Sequence, residues 1–299
     1  MNPLVSAIIT THNREAKIVQ RAIDSVLKQT YKNIEIILVN DSTVLYEQRS
    51  MVEELQVRYP QIIYLDLERN HGVSVARNAG LTAAKGEFVA YLDDDDEWLP
   101  EKIERQIELF SAPEVALVYC NRIIVDERNN TVHLYKGNYF RGKVYEKLLL
   151  DNFIGSTSFP LIRKEVLTEL RGFDEDMQAS EDADAWIRIA EKYEVEYVEQ
   201  PLVRYHFHEG EQITKNPNKR IQGLECLLKK NAQFVESHPV VFWKRTIVIA
   251  PFYAMCGKRK EAFALWRRAI KKYPFKLYEN AKYLYRIIVE LRKYRQRTK

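Results

Sequence analysis

Val5-Ser6-Ala7-Ile8-Ile9-Thr10-Thr11-His12-Asn13-Arg14 begins as a buried-strand pattern and breaks at once into polar loop residues. Ile18, Ala22, Ile23, Val26 and Leu27 then recur at helical spacing and stop near Gln29-Thr30. Ile34 to Val39 is a second strand ending at Asn40-Asp41-Ser42, and a helix through Val52 and Leu55 ends before Pro60. Ile62 to Leu65 reads as a third strand. Val75 to Ala84 is a helix with a stop signal in Lys85-Gly86, and Phe88 to Leu92 is a fourth strand. An acidic run and a helix opening at Pro100 follow. Repeated β-α-β units predict a largely parallel sheet covered by helices. Ligands of such sheets sit at the carboxyl ends of the strands. Three strands end there in polar clusters: Thr10-Thr11-His12-Asn13, Asn40-Asp41-Ser42, and Asp93 to Asp96.

The middle of the chain mixes short strands (Val118-Tyr119, Ile123 to Val125, Phe159 to Ile162, Val203 to Phe207) with a helix from Glu181 to Tyr193. From Asn218 onward the pattern is all helix, and Ala254, Gly257, Ala262, Ala269 and Pro274 resemble one tetratricopeptide-like hairpin. The expected division is an α/β domain over 1–215 and a basic helical extension over 216–299.

With 46% hydrophobic and 29% charged residues among 299, the composition is that of a globular chain and excludes wholesale disorder. Cys120, Cys226 and Cys256 form no C-x-x-C pair, which argues against a disulfide scaffold or structural zinc and suits a reducing compartment. Leu4 to Ile9 is a short apolar run followed at once by polar Thr10 to Arg14, so it is not expected to be a signal peptide. The longest later apolar run, Ile247 to Cys256, is ten residues and contains Pro251, too short to span a membrane. A cytoplasmic protein is expected. Charge is uneven: Gly257 to Lys299 carries fifteen Lys and Arg against three Glu, a net of +12, while the rest carries −8. An acidic body with a basic end points to an anionic surface as partner.

Asp93-Asp94-Asp95-Asp96-Glu97 is the strongest local feature. Five consecutive acids repel one another unless a cation or a hydrogen-bond network offsets them. Their oxygens suit Mg²⁺ or Mn²⁺, although acids also favour a helix start through its dipole. An EF-hand is excluded by Trp98 where a glycine is needed. Gly72 and Gly80 flank a helix start that could approach a phosphate, with Arg77 adding a forked contact to a diphosphate; they would equally serve turn and packing needs.

Taken in order, these pieces resemble family 2 glycosyltransferases. The resemblance runs through Val5 to Arg14, Ser25-Val26-Leu27-Lys28-Gln29-Thr30-Tyr31 and Glu35 to Ser42. It continues through Ala76-Arg77-Asn78-Ala79-Gly80, Tyr91 to Pro100, Glu181-Asp182-Ala183-Asp184-Ala185-Trp186 and Pro201 to His208, roughly residues 3 to 215. It implies a GT-A fold, a Rossmann-like mixed and mainly parallel sheet flanked by helices. It also implies transfer of a sugar from a nucleotide-diphosphate sugar with inversion. By position, Thr10, Thr11, Asn13, Asp41 and Arg77 would hold the nucleotide, and an Asp41 carboxylate can accept the N3–H of uracil. Asp93 to Asp95 looks like the family's DxD motif, with Asp93 or Asp94 on the ribose and Asp95 on a divalent metal. His208 would join that metal, or else is a structural histidine; His206 is expected to be structural. Asp182 matches the family's general base, with Glu181 and Asp184 as fallbacks.

A Gln-x-x-Arg-Trp motif of processive synthases is absent after Trp186, so addition of one sugar is expected. Ile154 to Ser158 is placed by position in the acceptor site. The acceptor implied is a saccharide or lipid-linked oligosaccharide of bacterial surface polysaccharide synthesis. The basic end, with a Leu284, Ile287, Ile288, Leu291 stripe, would either pack on the body or dock to anionic lipid at the inner face of the membrane. Two competing functions fit less. A phosphohydrolase using Asp93-x-Asp95 wants its acidic pair after the first strand, and a nucleic-acid-binding protein using the tail leaves the acidic body unexplained; no nucleic acid partner is expected.

Overall fold

The computed structural model describes residues 2–42, 46–126, 131–207 and 216–297. Along the chain run β1 (Val5–Thr11), α1 (Ala16–Leu27), β2 (Ile34–Asn40), α2 (Tyr46–Arg58), β3 (Ile63–Asp66), α3 (Val73–Ala83), β4 (Phe88–Asp93), β5 (Glu97–Trp98) and α4 (Lys102–Ile107). Then come β6 (Val115–Asp126), β7 (Thr131–Leu134), α5 (Tyr145–Leu150), β8 (Leu161–Arg163), α6 (Lys164–Glu169), α7 (Glu181–Lys192) and β9 (Glu194–Phe207). Helices α8 (Pro217–Lys230), α9 (Ala232–Ser237), α10 (Pro239–Ile247), α11 (Ala250–Met255), α12 (Arg259–Lys272) and α13 (Leu277–Arg297) complete it.

The chain forms two compact units. The first comprises Met1–Tyr145, Asn152–Glu175 and Ala185–Glu209; the second comprises Glu146–Asp151, Asp176–Asp184 and Gly210–Lys299. The second unit therefore draws on two earlier segments besides the C-terminal stretch that the sequence marks off at 216.

The first unit is built on one sheet of order β3-β2-β1-β4-β8-β6-β9-β5, with β7 paired to β6. β3, β2, β1 and β4 run parallel, as do β6 and β9, and the remaining pairings are antiparallel. Val5, Ala7, Ile8 and Ile9 of β1 and Val89, Ala90 and Tyr91 of β4 are wholly buried, which is why these strands read as continuous apolar runs. The register sets Thr10 beside Asp93 and Thr11 beside Asn40, so the polar strand ends meet at one edge.

Three local readings change. Gly86 is not a left-handed helix cap; a Cβ there would lie 2.7 Å from the Leu4 carbonyl oxygen and 2.7 Å from the Ser6 nitrogen, so the position needs space. Val118-Tyr119 and Ile123 to Val125 belong to one strand, β6, whose pairing with β9 slips at Cys120/Asn121 and Asn121/Arg122. The helix expected at Pro100 starts at Lys102, after the two-residue β5 pairs with Arg204 and Val203.

In the second unit, α11 and α12 form the expected hairpin. Ala254, Ala262 and Ala269 are fully buried, and Gly257 makes the turn at φ +74°. Ile287 of α13 is buried in a cluster with Ala250, Ala254 and Ala262, and Leu291 packs against it. Trp243 and Trp266 donate their indole N–H groups to the Asn280 side-chain and backbone oxygens, at 2.7 and 3.0 Å.

Candidate active site

The carboxyl ends of β1, β2 and β4 bring three expected clusters into one hydrogen-bonded system. Asp41, buried just past β2, accepts from the backbone N–H groups of His71 (2.7 Å) and Gly72 (2.9 Å), one on each carboxylate oxygen. It thereby satisfies donors at the start of α3, where Gly72 at φ +97° supplies a conformation that side chains resist. The loop after β1 is tied to the same place. The Asp41 N–H donates to the Thr11 carbonyl (2.9 Å), His12 Nδ1–H donates to the Asp41 carbonyl (2.7 Å), and the Asn13 N–H donates to Ser42 Oγ (2.9 Å). Thr11 is buried, Thr10 half-buried and Asn13 exposed.

Arg77, on α3 and 5% exposed, donates from Nη2 to Asp93 Oδ1 at 2.9 Å. Ser156 and Thr157 donate their hydroxyls to the same carboxylate at 2.8 and 3.1 Å, and Ser158 Oγ accepts the Asp93 N–H at 3.1 Å. Burial alone would raise the Asp93 pKa; Arg77 and the two hydroxyls reverse it, and the net shift is downward. Asp93 is thus an ionised carboxylate. The stretch expected to line an acceptor site is what holds the first acid of the run.

Arg14 straddles the next two acids, with Nε 2.9 Å from Asp94 Oδ1 and Nη2 2.7 Å from Asp95 Oδ2. Burial pushes Asp94 up to about 6; Arg14 opposes that shift and Asp95 adds to it. Asp96 is wholly buried, and burial with the charges of Asp95 and Asp93 raises its pKa well above the carboxylate range. Its Oδ1 accepts the His206 N–H at 3.1 Å. Glu97 is lowered, chiefly by a 2.8 Å hydrogen bond with His206 Nε2. Arg21 of α1 adds a bond from Nη2 to the Asp95 carbonyl at 2.6 Å. The run is therefore held by three arginines, Arg14, Arg21 and Arg77, by hydrogen bonds to His206 and by the hydroxyls of Ser156 and Thr157.

Residues 6–171 match the family model described as Glycosyl transferase family 2, more than half of the chain. The chain belongs to glycosyltransferase family 2. Among relatives of this glycosyltransferase, Escherichia coli WcaA, named a colanic acid biosynthesis glycosyl transferase, is 32% identical over 230 residues, covering 73% of this chain and 78% of WcaA. An uncharacterised glycosyltransferase of Methanocaldococcus jannaschii is 27% identical over 248 residues, covering 81% of this chain and 84% of its own. S. aureus TarS 1–349, solved in complex with UDP-GlcNAc, superposes with TM-score 0.62 at 15% identity over 98% of this chain and 92% of that one. The Pyrobaculum calidifontis mannosyltransferase PcManGT, solved with GDP-Man and Mn²⁺, superposes with TM-score 0.57 at 19% identity over 97% and 87%. The fold of the glycosyltransferase is GT-A.

The other expected residues of this family 2 glycosyltransferase are placed as follows. Asp182, in the first turn of α7, is half-buried, and its Oδ1 accepts the Ala183 N–H at 2.7 Å. Asp184 is buried and ion-paired to Lys230 Nζ at 2.7 Å, while Glu181 is buried at the helix start. His208 lies outside the described residues. His206, expected to be structural, donates its N–H to Asp96 Oδ1 and pairs Nε2 with Glu97, linking both acids to β9. Sequence reasoning did not anticipate Arg14 or Arg21 as counter-ions. Their only signal is the position of Arg14 directly after the polar end of β1.

Proposed function

We propose that the enzyme is a metal-dependent, inverting, non-processive glycosyltransferase that takes one sugar from a nucleotide-diphosphate donor, UDP favoured, to a hydroxyl of a saccharide or lipid-linked oligosaccharide. The setting is cell-surface polysaccharide synthesis, in the cytoplasm, with a peripheral place at the inner face of the membrane. The observation that carries the reading is the clamp on Asp93 by Arg77, Ser156 and Thr157 beside the Asp94-Asp95 pair, at the same sheet edge as the end of β2 that leads to Asp41. The donor class is supported by the fold shared with a UDP-GlcNAc-bound and a GDP-Man-bound enzyme, and the setting by the name of WcaA.

The donor set fits a hard divalent ion. Asp95 offers an oxygen ligand, and the structure already sets a cation, the Arg14 guanidinium, against Asp95 and its neighbour Asp94. No group of three acidic, histidine or cysteine ligands forms among the described residues, so Mn²⁺ or Mg²⁺ would be held by Asp95, His208 and donor oxygens. When bound, such an ion neutralises charge on the departing diphosphate. Thr10 and Asp41 hold the base, with Thr11 and Asn13 beside it; Asp93 or Asp94 holds the ribose, and Arg77 adds a contact to the diphosphate. Asp182 accepts the proton of the acceptor hydroxyl as its oxygen attacks the anomeric carbon opposite the diphosphate. The new C–O bond forms as the sugar–phosphate bond breaks, which inverts the centre. A phosphohydrolase reading fares worse, because Asp93 is too fully hydrogen-bonded to serve as a nucleophile.

The deciding measurement is thermal stability with UDP, GDP, dTDP and CMP, each with and without Mn²⁺, beside Asp95→Ala. A ligand at 100 times its Kd adds about 2.7 kcal/mol, a shift of several degrees. A metal-dependent shift with UDP that Asp95→Ala abolishes is expected; no shift with any nucleotide would sink the reading. Asp182→Asn should keep the UDP shift and lose transfer.

A further inference from the structure

The second unit carries an exposed apolar tip. At the turn between α12 and α13, Phe275, Leu277 and Tyr278 are 78%, 77% and 77% exposed. Tyr285, two turns further along α13, is also largely exposed. A single exposed apolar residue is ordinary, but four large ones within eleven positions mark a contact surface. The stripe that the sequence suggested for docking is not available, because Ile287 and Leu291 pack against α11 and α12.

Next to this apolar tip lies a cleft of about 360 Å³ with Trp243 in its wall. Lys244, Lys276, Lys282 and Arg286 line it against Asp151 and Glu279, an excess of two positive charges. Among the described residues none of these four cations is in an ion pair. Tyr278, Lys282, Tyr285 and Arg286 recur at helical spacing, so aromatic and basic side chains alternate on neighbouring faces of α13.

We infer that this face of the helical unit docks on an anionic bilayer. Phe275, Leu277 and Tyr278 enter the boundary between headgroups and acyl chains, and the cleft takes a lipid phosphate. Phosphate recognition alone would explain the lysines and Arg286 but gives Phe275 and Leu277 nothing to do; a headgroup layer over hydrocarbon engages both. The inference builds on the peripheral-membrane reading, and it stands or falls without reference to the nucleotide.

The test is sedimentation of the full chain with phosphatidylcholine vesicles, with and without phosphatidylglycerol. Binding only to the anionic vesicles, weakened by salt, is expected. Lys276→Glu/Lys282→Glu/Arg286→Glu should weaken it by about a hundredfold, and Phe275→Ser/Leu277→Ser/Tyr278→Ser by at least about tenfold. Both variants should melt at the wild-type temperature, since all six side chains are solvent-facing. Equal binding to neutral vesicles, no binding, or variants that bind like wild type would overturn the inference. So would capture of free inorganic phosphate, or self-association through this face, by a chain that ignores vesicles. None of these readouts involves UDP or Mn²⁺, so failure here and failure of the transferase reading are told apart.

Discussion

Arg14 sets its Nη2 2.7 Å from Asp95 Oδ2, across 81 residues of sequence. The guanidinium and a divalent ion would compete for the same carboxylate. Arg14→Gln should therefore tighten Mn²⁺ binding without nucleotide by about three- to tenfold, the scale of one partly exposed charge pair. Titration followed by the paramagnetic resonance of free Mn²⁺ reads this directly. Weaker binding in the variant would mean that Arg14 holds the carboxylates in ligand geometry instead.

Arg77 and Asp93 form the more enclosed pair, 2.9 Å apart, with the arginine buried. Removing one partner of such a pair leaves a charge without compensation. Arg77→Met should cost about 2–3 kcal/mol in urea denaturation, less than for a fully buried pair because Asp93 keeps Ser156, Thr157 and some solvent. Ser156→Ala should cost about 1 kcal/mol.

Gly80 lets α3 lie on β1: a Cβ there would fall 2.4 Å from Ile8 Cγ2. Gly80→Val is expected to destabilise by about 3 kcal/mol through overpacking. Ile8→Ala in the same chain should recover part of that loss, a coupling that a double-mutant cycle measures. Additive losses would show that the contact is not what excludes a side chain.

Lys102 is wholly buried, with Nζ 2.8 Å from Gln106 Oε1 and 4.2 Å from the centre of the Trp98 ring. Burial disfavours its ammonium and brings it down to about 8 from 10.5, with nearby Cys120 opposing. Across that window the unfolded chain still holds a proton that the folded chain has released, so stability rises with pH. Wild type should gain on Lys102→Met by about 2–3 kcal/mol between about pH 7 and pH 10. A constant difference across that range would show that Lys102 reaches water.

The parallel half of the sheet was legible because β1, β2 and β4 are buried on both faces, so apolar runs mark them with no help from context. β9 was only partly legible. Glu196, Glu199, Gln200 and Pro201 interrupt its pattern, and what makes it a strand is the long pairing with β6, including the slip near Cys120. β5 has two residues, the last acid of the run and Trp98 after it, and only the approach of Val203 and Arg204 makes it a strand. The DxD stretch stood out as a local anomaly. Its counter-ions did not, because Arg14 and Arg77 are set against it by the β1–β4 register and by the packing of α3, neither of which leaves a mark at short range.

Asp41 has a consequence for redesign. Its two oxygens hold the His71 and Gly72 amides, so the residue proposed to read the base also fastens α3 to the end of β2. An Asp41→Ala exchange aimed at switching donors would lose the anchor of α3 along with the old preference. New donor choice should evolve more readily at exposed neighbours such as His12 and Asn13, leaving position 41 to change late and in company.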